Sequence, residues 1–320
     1  MTGDVGPLVA ELERGERRAL ARLLTIVEDG TPSERRSVVD ALGARAGGAR
    51  VVGITGPPGV GKSTLTTALT TALRARGRRV AVLAIDPSSP TTGGALLGDR
   101  VRMQSHHDDD DVFIRSMASR GHLGGLAAAV PAALMVLDAA GFDDVVLETV
   151  GVGQSEVEVV AAADTTVLVL APGMGDAIQA AKAGILEVPD IIVVNKADAG
   201  GAGRLEAELQ AMLELGRGPG ASATWTPPVL RCVAVRGEGV DALVDALESH
   251  ARASGTDADP HPRARAAVLA VALAAVRAEL GEAEGLAELS TRVAAGELDA
   301  YRAADELLAA WRATPGAVDG

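Results

Sequence analysis

A glycine-rich segment that ends in a lysine and a serine has the composition of a phosphate-binding loop. Residues 56–63 read GPPGVGKS, which matches the pattern G-x-x-x-x-G-K-[ST]. The glycines of that pattern let backbone N–H groups point at phosphate oxygens, at the positive end of the helix that follows. Lys62 would reach the β and γ phosphates, and the Ser63 hydroxyl would bind Mg²⁺. We predict that the whole loop contacts the ligand: Gly56, Pro57, Pro58, Gly59, Val60, Gly61, Lys62, Ser63 and Thr64.

A second segment could select the base of a nucleotide. Asn195-Lys196-Ala197-Asp198 follows an apolar, β-branched run. The carboxylate of Asp198 can accept from the ring N–H and the exocyclic amine of guanine, a donor pair that adenine lacks. The order of the two segments therefore favours GTP over ATP, with a surface loop as the alternative. The third element usual for guanine is a Ser-Ala step, but the chain has Val233-Ala234, so any contact there must come from the backbone.

Three carboxylates could bind Mg²⁺ or orient water beside the phosphates. Asp86 and Glu148 each end an apolar run, and Asp99 lies in a glycine-rich segment. Phosphoryl transfer needs a metal ion that neutralises charge and a group that orients the attacking water, and carboxylates can supply both. Gly151, three residues after Glu148, could donate its N–H to the γ phosphate. Capping of neighbouring helices is the alternative role for Asp86 and Glu148.

Two other features of the sequence, an acidic run and a single cysteine, are explained by ordinary structural roles. Residues 106–111 read HHDDDD, but adjacent ligands along a loop seldom converge on one ion, so we predict a charged, solvated loop. Cys232 is the single cysteine and lies in an apolar run, which predicts a small core residue and no intramolecular disulfide.

Strands and helices must alternate to position these groups. Apolar, β-branched runs predict strands at residues 50–55, 79–85, 112–115, 144–148, 166–171, 190–195 and 229–235. Helical patterns between most of them indicate a mainly parallel sheet that binds ligands at the carboxyl ends of its strands. We therefore predict an α/β fold, a P-loop NTPase G domain flanked by N-terminal and C-terminal helical extensions.

The segments outside the sheet define the predicted domains. Leu20, Leu23, Leu24 and Val27 recur at helical spacing, which predicts one amphipathic helix over residues 6–28 and a second over 33–45. Residues 251–263 are typical of a linker, and helices follow around Leu269–Leu280 and over 298–311. The predicted domains are residues 1–47, 48–250 and 251–320. The apolar stripe of the last domain either packs on the G domain or forms a dimer.

Composition limits the partners. The chain has 320 residues, 48% hydrophobic and 2% aromatic, with a formal net charge of −13. This charge and the lack of stacking side chains argue against nucleic acid and anionic membranes as partners. The N-terminus lacks the order of a secretory signal and no apolar stretch is long enough to span a bilayer, so a cytoplasmic location is expected.

Taken together, the segments resemble the methylmalonyl-CoA mutase-associated GTPase family of the MeaB/ArgK type, whose human relative is the methylmalonic aciduria type A protein. The resemblance extends over residues 8–312. Residues 112–127 and 148–156 are much more specific for this family than a phosphate loop alone. The matching segments are residues 56–64, 86–90, 98–103, 112–127, 148–156, 173–176 and 195–198.

The resemblance implies a GTP-hydrolysing chaperone of an adenosylcobalamin-dependent acyl-CoA mutase, with methylmalonyl-CoA mutase as the first candidate client. The chaperone would gate cofactor loading and protect or reactivate the mutase, with GTP or GDP and Mg²⁺ as its cofactors. Asp86, Asp99 and Glu148 would lie around Mg²⁺ and the attacking water. Asp176 and Lys182 would belong to a switch toward the mutase, and the C-terminal helices would form a homodimer.

Two other functions use a similar phosphate loop. A kinase of the former arginine/ornithine transport type should show a pocket segment for its acceptor, and the glycine-rich loops here resemble conformational switches instead. A metal-insertion GTPase usually has a convergent Cys/His set, whereas this chain has one cysteine and five scattered histidines.

Overall fold

A seven-stranded parallel sheet forms the centre of the chain in a computed structural model. The model describes residues 5–43, 48–86, 106, 108–118, 123–149, 162–173, 189–216, 225–257 and 262–313. The strands are β1 (Arg50–Thr55), β2 (Val80–Asp86), β3 (Val112–Ala118), β4 (Asp144–Thr149), β5 (Thr165–Leu170), β6 (Ile191–Val194) and β7 (Val229–Arg231). Their order is β3-β2-β4-β1-β5-β6-β7, and every neighbouring pair is parallel. The sheet confirms the predicted fold, and each of the seven predicted runs contains a strand.

Helices cover both faces of this sheet. Every residue of β4, β5 and β6 is buried, as expected for parallel strands covered on both faces. The helices α4 (Lys62–Ala75) and α7 (Val240–Asp257) share one core cluster with alternate strand residues. The opposite face packs against α5 (Leu123–Ala139) and, over β5 and β6, against α6 (Ala202–Gly216).

Three N-terminal helices extend the core on the α5 side. They are α1 (Gly6–Glu13), α2 (Arg17–Asp29) and α3 (Pro32–Leu42). The buried apolar residues that predicted the first helix lie on α2, as expected: Leu20, Leu23, Leu24 and Val27. The single helix predicted over residues 6–28 is wrong, because the chain breaks at Gly15, whose φ is +79°. A left-handed residue cannot continue an α-helix.

The start and end of α3 have local causes. Thr31 Oγ1 accepts from the N–H of Glu34 over 3.2 Å, and Glu34 accepts from the N–H of Thr31 over 2.8 Å. This reciprocal pair is a capping box, which satisfies two free donors at the helix start. The helix ends at Leu42 and not at residue 45, because Gly43 adopts a φ of +60°.

The segment predicted as a linker, residues 251–263, is helical where the structure describes it. Helix α7 continues to Asp257, and α8 (Pro262–Glu282) begins at Pro262. Leu243, Val244 and Leu247 are fully buried on α7, so tertiary packing supports a helix whose last turns have weak local propensity.

A buried ion cluster lies at the amino ends of the central strands. Asp144, at the start of β4, is fully buried. Its carboxylate accepts from the Nε of Arg50 over 2.7 Å and also pairs with Arg78. The cluster joins the beginnings of β1, β2 and β4 at the edge of the sheet opposite the phosphate loop.

The chain divides into two compact units, residues 1–267 and residues 268–320. The second unit contains most of α8 with α9 (Leu286–Ala294) and α10 (Ala300–Ala313). Arg292 pairs with Glu306 over 3.1 Å, and Trp311 Nε1 donates to Glu279 over 2.8 Å. Four larger apolar side chains of α8 in this unit are exposed: Val268, Leu269, Val271 and Leu273. The proposed domain boundaries stay a prediction.

Candidate nucleotide site

The predicted phosphate loop connects β1 to the first turn of α4. Three of its glycines adopt positive φ, +144° at Gly56, +80° at Gly59 and +95° at Gly61. A Cβ at Gly56 would lie 2.1 Å from the backbone oxygen of Val169, and one at Gly61 would lie 2.5 Å from Nδ2 of Asn195. Only glycine fits these approaches, so the loop is built against β5 and against the predicted guanine segment.

Lys62 is buried and folds back over this loop. Its Nζ donates to the backbone oxygen of Gly56 over 2.6 Å and to that of Pro57 over 3.2 Å. The ammonium group therefore lies within the loop, next to the N-terminus of α4. The helix dipole and the free N–H groups at that end favour a bound anion such as phosphate. This position fits the predicted role of Lys62 as a phosphate ligand.

Ser63 and Glu148 meet beside the loop. The Ser63 hydroxyl donates to Oε1 of Glu148 over 2.5 Å. Glu148 is buried near the carboxyl end of β4, where it pairs in register with Ile54 of β1. Two hard oxygen donors at this point are the type of ligand that Mg²⁺ takes, so the residues present fit the predicted ion.

The other predicted metal and switch residues are described less completely. Asp86 ends β2 beside β4, which brings its backbone to the same edge of the sheet as Glu148. The side chain of Asp86 lies outside the described residues. So do Asp99, Gly151, Asp176 and Lys182, whose roles stay predictions.

Asn195 joins the guanine segment to the phosphate loop. Its buried side-chain amide donates to the backbone oxygen of Val60 over 2.9 Å, and its Oδ1 accepts from the N–H of Ala234 over 3.1 Å. Lys196, at a φ of +56°, donates from Nζ to the backbone oxygen of Gly59 over 2.7 Å. The two sequence segments, which lie far apart along the chain, are thus one hydrogen-bonded structure.

The last predicted strand is too long. Instead of running over residues 229–235, β7 ends at Arg231, and a 3₁₀ turn occupies Ala234–Arg236. Val233 forms an isolated bridge with Glu238 and donates its N–H to the oxygen of Glu238 over 2.9 Å. The chain leaves the sheet because its neighbour β6 has only four residues. The backbone N–H of Ala234 bonds Asn195, so this loop supports the guanine segment through the backbone.

Asp198 follows on the exposed side of the same segment. The N–H of Ala197 donates to the oxygen of Cys232 over 3.0 Å. Oδ2 of Asp198 accepts from Nη1 of Arg236 over 3.1 Å. Arg236 was not predicted from the sequence, since a single arginine in a glycine-rich loop carries no local sign of its distant partner.

A groove of about 530 Å³ adjoins the site. This volume lies within the usual range for small-molecule sites. The side chain of Val235 is 78% exposed beside it. The lining comes from α4, the 3₁₀ turn and the start of α7, and includes Ser63, Thr64, Thr67, Val235, Arg236 and Asp241.

Among the described residues, neither the acidic run nor the cysteine contributes a side chain to the lining of this groove. Arg74 binds Asp109 over 2.8 Å and Asp111 over 2.9 Å, and this contact lowers the pKa of Asp109. In the part of the chain that the structure describes, no three His, Cys, Asp or Glu side chains converge on a possible metal site. Cys232 is buried as predicted, and burial raises the pKa of its thiol to about 11.

None of the helices in the described ranges is long and apolar enough to cross a bilayer.

Comparison with known proteins gives one consistent result. The sequence model of the family described as "Methylmalonyl Co-A mutase-associated GTPase MeaB" matches residues 20–285. A Pyrococcus horikoshii protein named as a GTPase is 43% identical over 312 residues, 95% of this chain and 97% of that protein. GTPase ArgK of Escherichia coli is 38% identical over 251 residues, 75% of this chain and 73% of that protein.

Two further similarities complete the comparison. The mitochondrial methylmalonic aciduria type A homolog of Mus musculus is 37% identical over 260 residues, 76% of this chain and 62% of that protein. A crystal structure described as an LAO/AO transport system kinase superposes with a TM-score of 0.70 at 25% identity, and the match covers 95% of this chain and 96% of that one.

Proposed function

Because this chain belongs to the methylmalonyl-CoA mutase-associated GTPase family, we propose that it is a chaperone of an adenosylcobalamin-dependent acyl-CoA mutase. The chain is a GTPase with a P-loop fold, which converts GTP and water to GDP and phosphate. The proposal is that this reaction times cofactor loading and the protection or reactivation of the mutase. Methylmalonyl-CoA mutase is the first candidate client, since the family description names it.

One observation carries the nucleotide assignment. Asn195 bonds Val60 of the phosphate loop and Ala234 of the following loop, and Lys196 bonds Gly59. These bonds support the proposal that a base at Asp198 and phosphates at Lys62 would belong to one ligand. We propose that the Asp198 carboxylate accepts from the guanine ring N–H and amine.

The chain's own groups support hydrolysis in separate ways. Lys62 and the N–H groups at the start of α4 would bind the β and γ phosphates and stabilise the charge that grows on them. Ser63 and Glu148, with Asp86 and Asp99 as further proposed ligands, would hold Mg²⁺ and orient water. Mg²⁺ would neutralise charge on the phosphates when it is bound. Asp176 and Lys182 are proposed to signal the nucleotide state to the mutase.

The two alternative functions are not favoured. A metal-insertion GTPase would need a convergent ligand set, and the described residues contain none. A kinase is the name of one structural relative, but relatives with 38% and 43% identity are named GTPases.

A homodimer is the proposed assembly of the chaperone. The exposed apolar side chains of Val268 and Leu273 on α8 support it, because such a face is usually covered in an assembly. The expected cytoplasmic location also stays a proposal.

The test is a reconstitution with purified components. The full chain is mixed with each adenosylcobalamin-dependent acyl-CoA mutase of its source organism, of the methylmalonyl, ethylmalonyl and isobutyryl types. Phosphate release and the lifetime of mutase activity are measured, with Lys62→Ala as the inactive control. We expect one mutase to accelerate GTP hydrolysis and to stay active longer only with the unmodified chain. If no mutase changes hydrolysis and none is protected, the chaperone proposal is wrong.

A further inference from the structure

Arg236 holds the carboxylate that is proposed to read guanine. Its Nη1 lies 3.1 Å from Oδ2 of Asp198. The other edge of the same guanidinium is occupied by Glu238, with Nε 2.6 Å from Oε1 and Nη2 3.3 Å from Oε2. The arginine therefore lies between two carboxylates and makes two hydrogen bonds with Glu238 but one with Asp198.

The loop that carries Arg236 is fixed at several points. The N–H of Val233 donates to the oxygen of Glu238, and the N–H of Ala234 donates to Asn195. Gly239 has a φ of +79°, and a Cβ there would lie 2.1 Å from the oxygen of Arg231. The turn thus presents Arg236 at a defined distance from Asp198, although both side chains are about half exposed.

Asp198 can still bind a base, because Arg236 divides its N–H donors between Glu238 and Asp198. A carboxylate has about four lone-pair positions on its two oxygens. Glu238 occupies two of the guanidinium nitrogens, so Arg236 reaches only one oxygen of Asp198. The other oxygen and a second position on Oδ2 can still accept from two donors of a guanine ring.

We infer that Arg236 is a positioning residue for guanine: it fixes the orientation of the Asp198 carboxylate, and Glu238 keeps it from covering both oxygens. This inference rests on the proposed role of Asp198. In this arrangement, Glu238 binds the guanidinium of Arg236 and so limits its contact with Asp198. Without Glu238, the guanidinium could turn and form a two-pronged pair with Asp198, which would compete with the base.

A plain surface ion pair is the competing explanation. Such pairs contribute little to stability, and losing one would change the binding of all nucleotides equally. A positioning role predicts a change in base discrimination. Inosine lacks the 2-amino group of guanine, so the ratio of GTP to ITP affinity reports how well Asp198 is oriented toward that group.

The experiment measures GTP and ITP affinities of the full chain and of the variants Arg236→Ala, Arg236→Lys and Glu238→Gln. We expect Arg236→Ala to weaken GTP binding about fivefold and to lower the GTP/ITP ratio about threefold, in the range for one exposed charge pair. The loss should appear in KM and not in kcat. Arg236→Lys should recover part of the ratio, since an ammonium can still donate to Oδ2.

A double variant and a control variant make the test decisive. Glu238→Gln should weaken GTP binding, but it should add nothing to Arg236→Ala in the double variant, because both act through one contact. Arg204→Ala is the matched control, since Arg204 is exposed and pairs only locally with Glu208 over 2.8 Å. A GTP/ITP ratio in Arg236→Ala that equals the ratio of the control would overturn the inference.

Failure of the inference can be separated from failure of the proposed function. Asp198→Asn should shift preference from GTP to xanthosine triphosphate, because an amide can donate to the 2-oxo group of xanthine. If that preference does not move, the guanine assignment is wrong. If it moves while Arg236→Ala leaves the GTP/ITP ratio unchanged, only the positioning role is wrong.

Discussion

The side-chain amide of Asn195 donates to the backbone oxygen of Val60 over 2.9 Å, across 135 residues of chain. This bond ties the segment proposed to read the base to the loop proposed to hold the phosphates. Both groups are buried, so water cannot replace the bond if it is lost.

Asn195→Ala is therefore expected to affect stability and binding together. The change leaves a buried carbonyl and a buried N–H without partners, which costs about 2 kcal/mol of unfolding free energy. Urea unfolding and GDP titration measure the two effects. Gln210→Ala removes an exposed amide from α6 and serves as the control. Equal stability of the two variants would contradict the proposed link.

Lys62→Ala is expected to abolish hydrolysis and to leave the fold intact. The Nζ of Lys62 donates to backbone oxygens of its own loop, at Gly56 and Pro57, and its proposed role is to bind phosphate. GTP turnover should fall by about 100-fold or more, the range for losing one preorganised charge-stabilising group. Phosphate release gives the rate and circular dichroism checks the fold. Turnover close to that of the unmodified chain would refute the assigned role.

Glu148→Gln is expected to weaken the response to Mg²⁺. The amide can still accept from the Ser63 hydroxyl, but the negative charge beside the proposed ion is gone. The Mg²⁺ concentration for half-maximal GTP turnover should rise about 10- to 100-fold. Glu208→Gln, which changes a partly exposed carboxylate paired with Arg204, is the control. The same Mg²⁺ dependence in both variants would exclude Glu148 from the ion site.

Asp144→Ala is expected to destabilise the fold without changing nucleotide affinity. Removing a fully buried carboxylate leaves Arg50 and Arg78 without their shared counter-charge, at a cost of about 3–5 kcal/mol. The exposed pair of Asp245 with Arg76 is the control, and Asp245→Ala should cost less than about 1 kcal/mol. Urea unfolding compares them. Similar midpoints would show that the buried cluster contributes no more than a surface pair.

Cys232 is expected to react slowly while the chain is folded. Burial raises the pKa of its thiol from 9.0 to about 11, so at pH 8 the folded chain has about 100-fold less thiolate than the unfolded chain. The native iodoacetamide rate should keep rising with pH up to about 11, whereas the rate in urea should level off near 9. Since the chain has one cysteine, mass spectrometry follows a single product. Equal rates in the native and urea-unfolded states would contradict the burial.

The sequence predicted the features that depend on local pattern. Seven strands and the phosphate loop follow from β-branched runs and from glycines next to Lys62 and Ser63, because burial on both faces of a parallel sheet imposes that composition. The burial of Leu20 and Val27 follows from helical spacing in the same way.

What the sequence did not predict depends on distant contacts. The helical course of residues 251–257 and the early end of β7 at Arg231 depend on the packing of neighbouring elements. The break at Gly15 is local, but a glycine inside a helical pattern can either continue or end the helix, so the pattern alone did not predict it. The pair between Arg236 and Asp198 joins residues that are 38 positions apart. No local pattern contains that information, so the fine structure of the guanine loop could not be predicted from the sequence.

The strand order also has a consequence for how the protein is made. The contacts of the site join Ser63 to Glu148, Val60 to Asn195 and Asn195 to Ala234, at separations of 85, 135 and 39 residues. Contacts so distant along the chain form slowly during folding. A nascent chain on the ribosome cannot complete the site until the guanine loop has been synthesised. Unfinished copies should therefore not compete with finished ones for the cell's GTP.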